Sequence, residues 1–150
     1  MITESQIEEI ISKGIESLNV NGTRVLIIIP DGTRTMPMPL FFRLLTKHLQ
    51  PRAKQVDFLV ALGTHGAMSE QSLRAHVSIT EQEQATTYKN VKLINHAWND
   101  PNALITLGNI AADEIAQLSN GMFHQEVPVR LNKLVLDYDE LIICGPVFPH

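Results

Sequence analysis

The stretch Arg24-Val25-Leu26-Ile27-Ile28-Ile29-Pro30-Asp31-Gly32-Thr33-Arg34 joins an unbroken β-branched run to a polar loop. A strand with one wet face alternates apolar and polar residues. A strand covered on both faces, as in a parallel sheet, does not alternate, and residues 24–29 are of that kind. Pro30 brings no backbone N–H and closes the strand. Asp31-Gly32 is a turn pair. Because ligands of open α/β sheets gather beyond the carboxyl ends of the strands, the polar residues just after this run are the first place to look for chemistry.

Outward from this strand the pattern repeats. Upstream, Ile7, Ile10, Ile11, Ile15 and Leu18 fall at helical spacing behind a capping box of Thr3 and Gln6, and Asn21-Gly22 ends the helix. Downstream, Phe41, Leu44, Leu45, His48 and Leu49 form a helical stripe, and residues 56–62 make a second apolar strand. Strand, helix, strand at this separation predicts a right-handed crossover between parallel strands. Ser69 opens a helix through Leu73 and Val77, Thr80 opens a shorter one, and residues 91–95 read as a third strand. Residues 104–107 and 127–131 read as strands with a helical stretch, 111–118, between them. Residues 138–144 form a last buried strand before Gly145-Pro146. The expectation is an α/β fold: a mostly parallel, Rossmann-like sheet with helices on both faces and a small β-hairpin-containing insertion. No repeat, low-complexity tract or linker interrupts it, so residues 1–150 are read as a single α/β domain.

Composition narrows the partners. A chain of 150 residues, 44% of them hydrophobic, can bury one sizeable core. A net charge of −4 with scattered basic residues points away from nucleic acid and from a polybasic membrane anchor. No apolar run approaches the ~20 residues of a membrane span, and the opening residues lack a signal-peptide pattern, so a cytoplasmic protein is expected. The one cysteine, Cys144, sits in an apolar strand and reads as a buried structural thiol.

Three predicted strands end in polar, glycine-containing loops: Asp31-Gly32-Thr33-Arg34, Gly63-Thr64-His65-Gly66 and Gly145-Pro146-Val147-Phe148-Pro149-His150. Parallel strands bring Asp31, Arg34, His65 and His150 to one rim. Each has a plain structural role open to it: Asp31 as a turn residue, Arg34 as a surface charge, His65 as a helix cap, His150 as chain end. Together they suit an organic acid. The guanidinium fork of Arg34 matches a carboxylate in two-point contact, with Asp31 placed to orient it. Two histidines on opposite sides of a substrate carbon can remove and return a proton, which inverts a stereocentre. His96, after the third strand, and His124, in the insertion, read as structural, and His48 and His76 as packing or surface residues on helices. No His/Cys cluster has zinc spacing, and neither a GxGxxG fingerprint nor a Walker loop is present.

At Asp31-Gly32-Thr33-Arg34, Ala61-Leu62-Gly63-Thr64-His65 with Glu70 downstream, and Gly145 to His150, the chain resembles the nickel-dependent lactate racemase family. The resemblance implies a racemase or epimerase of a 2-hydroxy acid that works by hydride transfer to a nickel-pincer nucleotide. It implies His65 and His150 as the acid/base pair for the hydroxyl proton, and Asp31 and Arg34 as substrate-positioning residues. It further implies Asp31, Thr33, Gly63 and Thr64 beside the cofactor. Gly66-Ala67 stands where the family commonly has Arg-Pro. The family's cofactor-bearing lysine and nickel-ligating histidine follow the Pro-His segment. The expectation is therefore an incomplete amino-terminal part of a larger two-domain enzyme, inactive alone and prone to self-association through uncovered apolar surface. The alternative is a non-catalytic α/β module that binds a small organic anion or nucleotide.

Overall fold

The computed structural model of the chain describes residues 2–147. Helix α1 (Glu4–Glu16) leads into β1 (Arg24–Pro30), α2 (Met38–Leu49), β2 (Gln55–Ala61), α3 (Glu70–His76), α4 (Glu81–Ala85) and β3 (Leu93–Asn95). Then come β4 (Leu104–Ile110), α5 (Ala112–Leu118), β5 (Val127–Asn132) and β6 (Glu140–Ile143), with 3-10 turns at Pro101–Ala103 and Lys133–Asp137. Two compact units result among the described residues, one of residues 2–96 with 137–147, the other Ala97–Leu136.

The first unit is built on a four-stranded parallel sheet of order β3-β2-β1-β6. The uninterrupted run of β1 places it inside, paired with β2 from Arg24↔Gln55 to Pro30↔Ala61 and with β6 from Val25↔Glu140 to Ile28↔Ile143. Alternate residues of the two central strands, in the matched pairs Val25/Val56, Ile27/Phe58 and Ile29/Val60, form one face of the core. Ile15 of α1, Phe42, Leu45 and Leu49 of α2, and Leu73 of α3 pack into the same cluster. The ring of Phe42 meets Phe58 at 4.8 Å and Tyr88 at 5.0 Å between centroids, inside the range where aromatic pairs add to plain burial.

The predicted helix starts are realised as caps. Thr3 and Gln6 close a capping box on α1, Thr80 and Glu83 close another on α4, and the Ser69 hydroxyl accepts from Ser72 N at the start of α3. The second unit holds the antiparallel pair β4·β5 with α5 between them in sequence, which is the expected hairpin insertion. Strand β4 runs three residues beyond the apolar stretch read from the sequence, because Gly108, Asn109 and Ile110 pair with Val129, Pro128 and Val127 past a register shift between Thr106 and Gly108.

On the face opposite the core cluster, Asp57 stands beside Leu26 in the β1·β2 register and is fully buried. Its Oδ1 accepts from Lys92 N (2.8 Å), and its Oδ2 accepts from Gln55 Nε2 (2.5 Å) and the Tyr138 hydroxyl (2.6 Å). Burial, and then the contact with Asp57, push the phenol's pKa up, so Tyr138 stays protonated and donates. Nearby, Arg24 holds Asp139 in a two-point ion pair, Nε to Oδ2 at 3.2 Å and Nη2 to Oδ1 at 3.1 Å. These contacts tie the amino-terminal ends of β1, β2 and β3 to the chain entering β6. Tyr138→Phe is expected to cost about 1–3 kcal/mol and Asp57→Ala more than that, because it leaves three neutral donors without their acceptor. In urea unfolding the double variant should fall short of the sum, because both changes remove the same bond.

Candidate active site

The carboxyl end of the same sheet carries the polar residues. Because Pro30 pairs with Ala61, β1 and β2 end level, and the loops that leave them start side by side. A cleft of about 840 Å³ opens there, lined by residues of the first unit that include Asp31, Thr33, Arg34, Gly63, Thr64, His65 and the segment Cys144-Gly145-Pro146.

The loop after β1 folds back on its own acid. Arg34 N bonds to Asp31 O at 3.3 Å, and the Asp31 carboxylate accepts from Thr33 N (3.1 Å) and Thr33 Oγ1 (2.5 Å), both at Oδ1. The loop after β2 is a tight turn closed by His65 N to Leu62 O at 3.0 Å. Gly63 takes φ +59° in it, a conformation that side chains resist, so this position favours glycine. The turn delivers His65 Nδ1 to Asp31 Oδ2 at 2.5 Å.

Asp31 is 7% exposed, whereas the His65 side chain is 58% exposed. The bonds from Thr33, first, and then from His65 hold the Asp31 carboxyl down at about 2 against the ordinary 3.8, with burial opposing them. An ionised carboxylate only accepts. The Nδ1 of His65 therefore carries the shared proton and donates it to Asp31.

The predicted residues divide as follows. Asp31, Thr33, Arg34, Gly63, Thr64 and His65 come together around the cleft. His150 lies outside the described residues. Asp31 was expected to orient Arg34; its carboxylate is bonded instead to Thr33 and His65, and the Arg34 side chain is exposed. Glu70 is on α3, with its side chain 93% exposed and 3.9 Å from Arg74. Cys144 is half-buried, its thiol pKa raised by that burial, and its backbone N–H bonds to Ile28 O. His48 meets Glu8, and His124 meets Asp113 within the second unit. The half-buried His96 donates its backbone N–H to Val60 O.

Two further residues brace the site. Nε2 of His76, on α3, donates to Pro30 O at 2.9 Å, the carbonyl just before Asp31. The Asn95 side-chain amide bonds both the N–H and the C=O of Met68, in the loop that carries His65. Neither has a motif of its own. Asn95 reads as the last residue of a strand and His76 as one polar position on a short helix.

A carboxyl group held below its ordinary pKa stabilises the fold above that ordinary value and ceases to do so as pH falls through the lowered one. Asp31 should thus add stability above about pH 4 that is lost on the way down to about pH 2. Thermal melts across this range should show Asp31→Asn with a shallower acid slope than the parent chain.

The chain matches the family model of the lactate racemase N-terminal domain over residues 1–150. No curated protein matches it. A crystal structure of a protein from Thermotoga maritima is similar to it with a TM-score of 0.80 and 28% identity, over 95% of this chain and 33% of that one. The chain therefore spans about a third of the length of that protein. With the family model matched from end to end, and the parallel sheet bearing its polar loops at the expected edge, the chain belongs to the lactate racemase N-terminal domain family.

Proposed function

We propose that this chain binds a 2-hydroxy acid at the cleft beyond β1 and β2 and handles its hydroxyl proton, as the amino-terminal part of a racemase or epimerase. The observation that carries the reading is the hydrogen bond between the buried, ionised Asp31 and the exposed His65. A carboxylate on Nδ1 fixes the ring and its tautomer, which turns Nε2 to the proton-handling task. Membership of the lactate racemase N-terminal domain family supports the substrate class.

In this reading His65 Nε2 takes the hydroxyl proton of one enantiomer and returns it when the other reacts. His150 serves as its counterpart for the opposite hand. Arg34 holds the substrate carboxylate; among the described residues no carboxylate is paired with it, and its planar fork fits a two-point contact. Thr33 keeps Asp31 turned toward His65.

The cleft also suits the nucleotide that the family uses. Its volume is in the range of cofactor sites, and the left-handed turn at Gly63 keeps the rim free of a Cβ, with nothing within 4 Å of that position. Asp31, Thr33, Gly63 and Thr64 would lie against it. Among the described residues no group of three or more His, Cys, Asp or Glu is placed to hold a metal ion. A nickel-pincer nucleotide held there would supply a hydride acceptor for the hydrogen on the hydroxyl-bearing carbon.

In the complete protein, His65→Ala should lower kcat about 10²- to 10⁴-fold with cofactor still bound, read by chiral analysis of product beside the cofactor's absorbance. Racemisation that persisted would remove His65 from the mechanism. Arg34→Lys should act chiefly on KM, because an ammonium cannot supply the fork.

Self-association belongs to the same proposal. Strand β6 is the sheet's outer strand next to β1, and its Leu141 and Ile143 are 47% and 82% exposed. An open edge with apolar side chains invites a partner. Sedimentation of the 150-residue chain should show an apparent mass that rises with concentration; a monomer at every concentration would contradict it.

A further inference from the structure

His65 hangs from a loop of eight residues, 62–69, between the end of β2 and the start of α3. Its first half is fixed locally. Leu62 is buried, and the Leu62–His65 turn closes on itself. Gly66 and Ala67 are exposed. The loop next meets the framework at Met68, where the Asn95 amide makes two bonds to one residue: Met68 N to Oδ1 at 3.1 Å, and Nδ2 to Met68 O at 2.8 Å. Asn95 is the last residue of β3, opposite Val60 in the register, and Val60 is next to Ala61, where β2 ends. Both ends of the loop are thus referred to the same place in the sheet.

From this we infer that Asn95 is a positioning residue for His65. The amide does at Met68 what a neighbouring strand does for a paired residue, filling the donor and the acceptor of one backbone position at once. Among side chains of this length only Asn carries both functions. With Met68 fixed, the turn at Leu62–His65 has one course between its two supports, and the ring arrives at Asp31. Without the clip, the far half of the loop keeps the Ser69 cap of α3 and the packing of the Met68 side chain on the core, but the Met68 backbone loses both its bonds to Asn95, and the Asp31–His65 bond must be made against greater loop entropy. The Asn95 side chain bonds the backbone of Met68, three residues beyond His65, so its influence on the ring runs through the loop.

The inference rests on the reading of His65 as the proton-handling residue, but its main test does not. In the parent protein the Met68 amide should exchange with deuterium at least about tenfold more slowly than those of Gly66 and Ala67. Equal exchange would mean no clip, and would overturn the inference without any variant. In Asn95→Asp, which keeps the shape but loses the donor, and in Asn95→Ala, the Nδ1 proton of His65 should exchange with water about tenfold faster in nitrogen-15 spectra, with the far-ultraviolet spectrum unchanged. In the complete enzyme kcat should fall by a larger factor than KM rises. A folded variant with an unaltered His65 Nδ1 signal would sink the inference even if its activity fell. If instead the His65 signal responds while His65→Ala leaves racemisation intact, the clip stands and the proposed function fails.

Discussion

The register of β1 against β2 is the constraint on which the rest depends. Pairing Pro30 with Ala61 ends the two strands together, and only then do Asp31 and His65, one and four residues further on, lie within a hydrogen bond. Side chains alternate between the faces of a strand, so a slip of one residue would turn Ile27 away from the core and set Phe58 against a different neighbour. The core therefore enforces the register. Val25/Val56, Ile27/Phe58 and Ile29/Val60 are each almost completely buried, and their removal from the cluster would expose several large apolar side chains at once. At roughly 1.5–3 kcal/mol for each large side chain, the slip is out of reach for a domain of this size. The geometry of the site follows from apolar packing two to nine residues before Asp31 and His65 in the chain.

The two ends of the sheet use carboxylates in opposite ways. Asp57 is fully buried, and its three bonds come from the neighbouring strand end, from its own strand and from the residue leading into β6, all parts of the framework. It resembles a rivet: satisfied on every side and shut away from solvent. Among the described residues Asp31 accepts from the two loops that leave the strands, and its partner His65 is more than half exposed. Regions held by a few bonds within loops open more readily than strands locked in a core. The sheet thus concentrates its rigidity at the end where Arg24, Asp57 and Tyr138 meet, and leaves adaptable groups at the end where ligands gather.

Much of this was legible in the sequence because the signals were local. An unbroken run such as residues 24–29 has few places to go other than the middle of a parallel sheet, and Thr3, Ser69 and Thr80 announce their helices by their own side chains. The strand-end loops followed, so Asp31, Thr33, Arg34, Gly63, Thr64 and His65 were found together. Other features depend on contacts far apart in the chain. That Asp31 bonds His65 rather than orienting Arg34 is a matter of side-chain direction across 34 residues. The bonds of Asn95 to Met68 and of His76 to Pro30 join positions 27 and 46 residues apart, and neither residue type is unusual where it stands. The length of β4 escaped for a different reason. Gly108-Asn109 has the composition of a turn, but the partner strand's Val129 and Pro128 pair with it as strand.

The lone pairs of Asp31 bear on what the neighbouring arginine can do. Oδ1 accepts two bonds from Thr33, and Oδ2 accepts from His65, so both oxygens are engaged within the loops. Among the described residues the ion pair of Asp31 is with His65 and not with Arg34. Thr33 takes Oδ1 through its backbone and its hydroxyl together, at no cost in long side-chain entropy, since its χ1 is already restricted. The substitution that keeps size but removes the hydroxyl, Thr33→Val, would release one of the two bonds and leave Oδ1 held by the backbone N–H alone. The small residue that follows the acid thus keeps the carboxylate turned to the histidine, and the exposed Arg34 is left to meet an anion from outside.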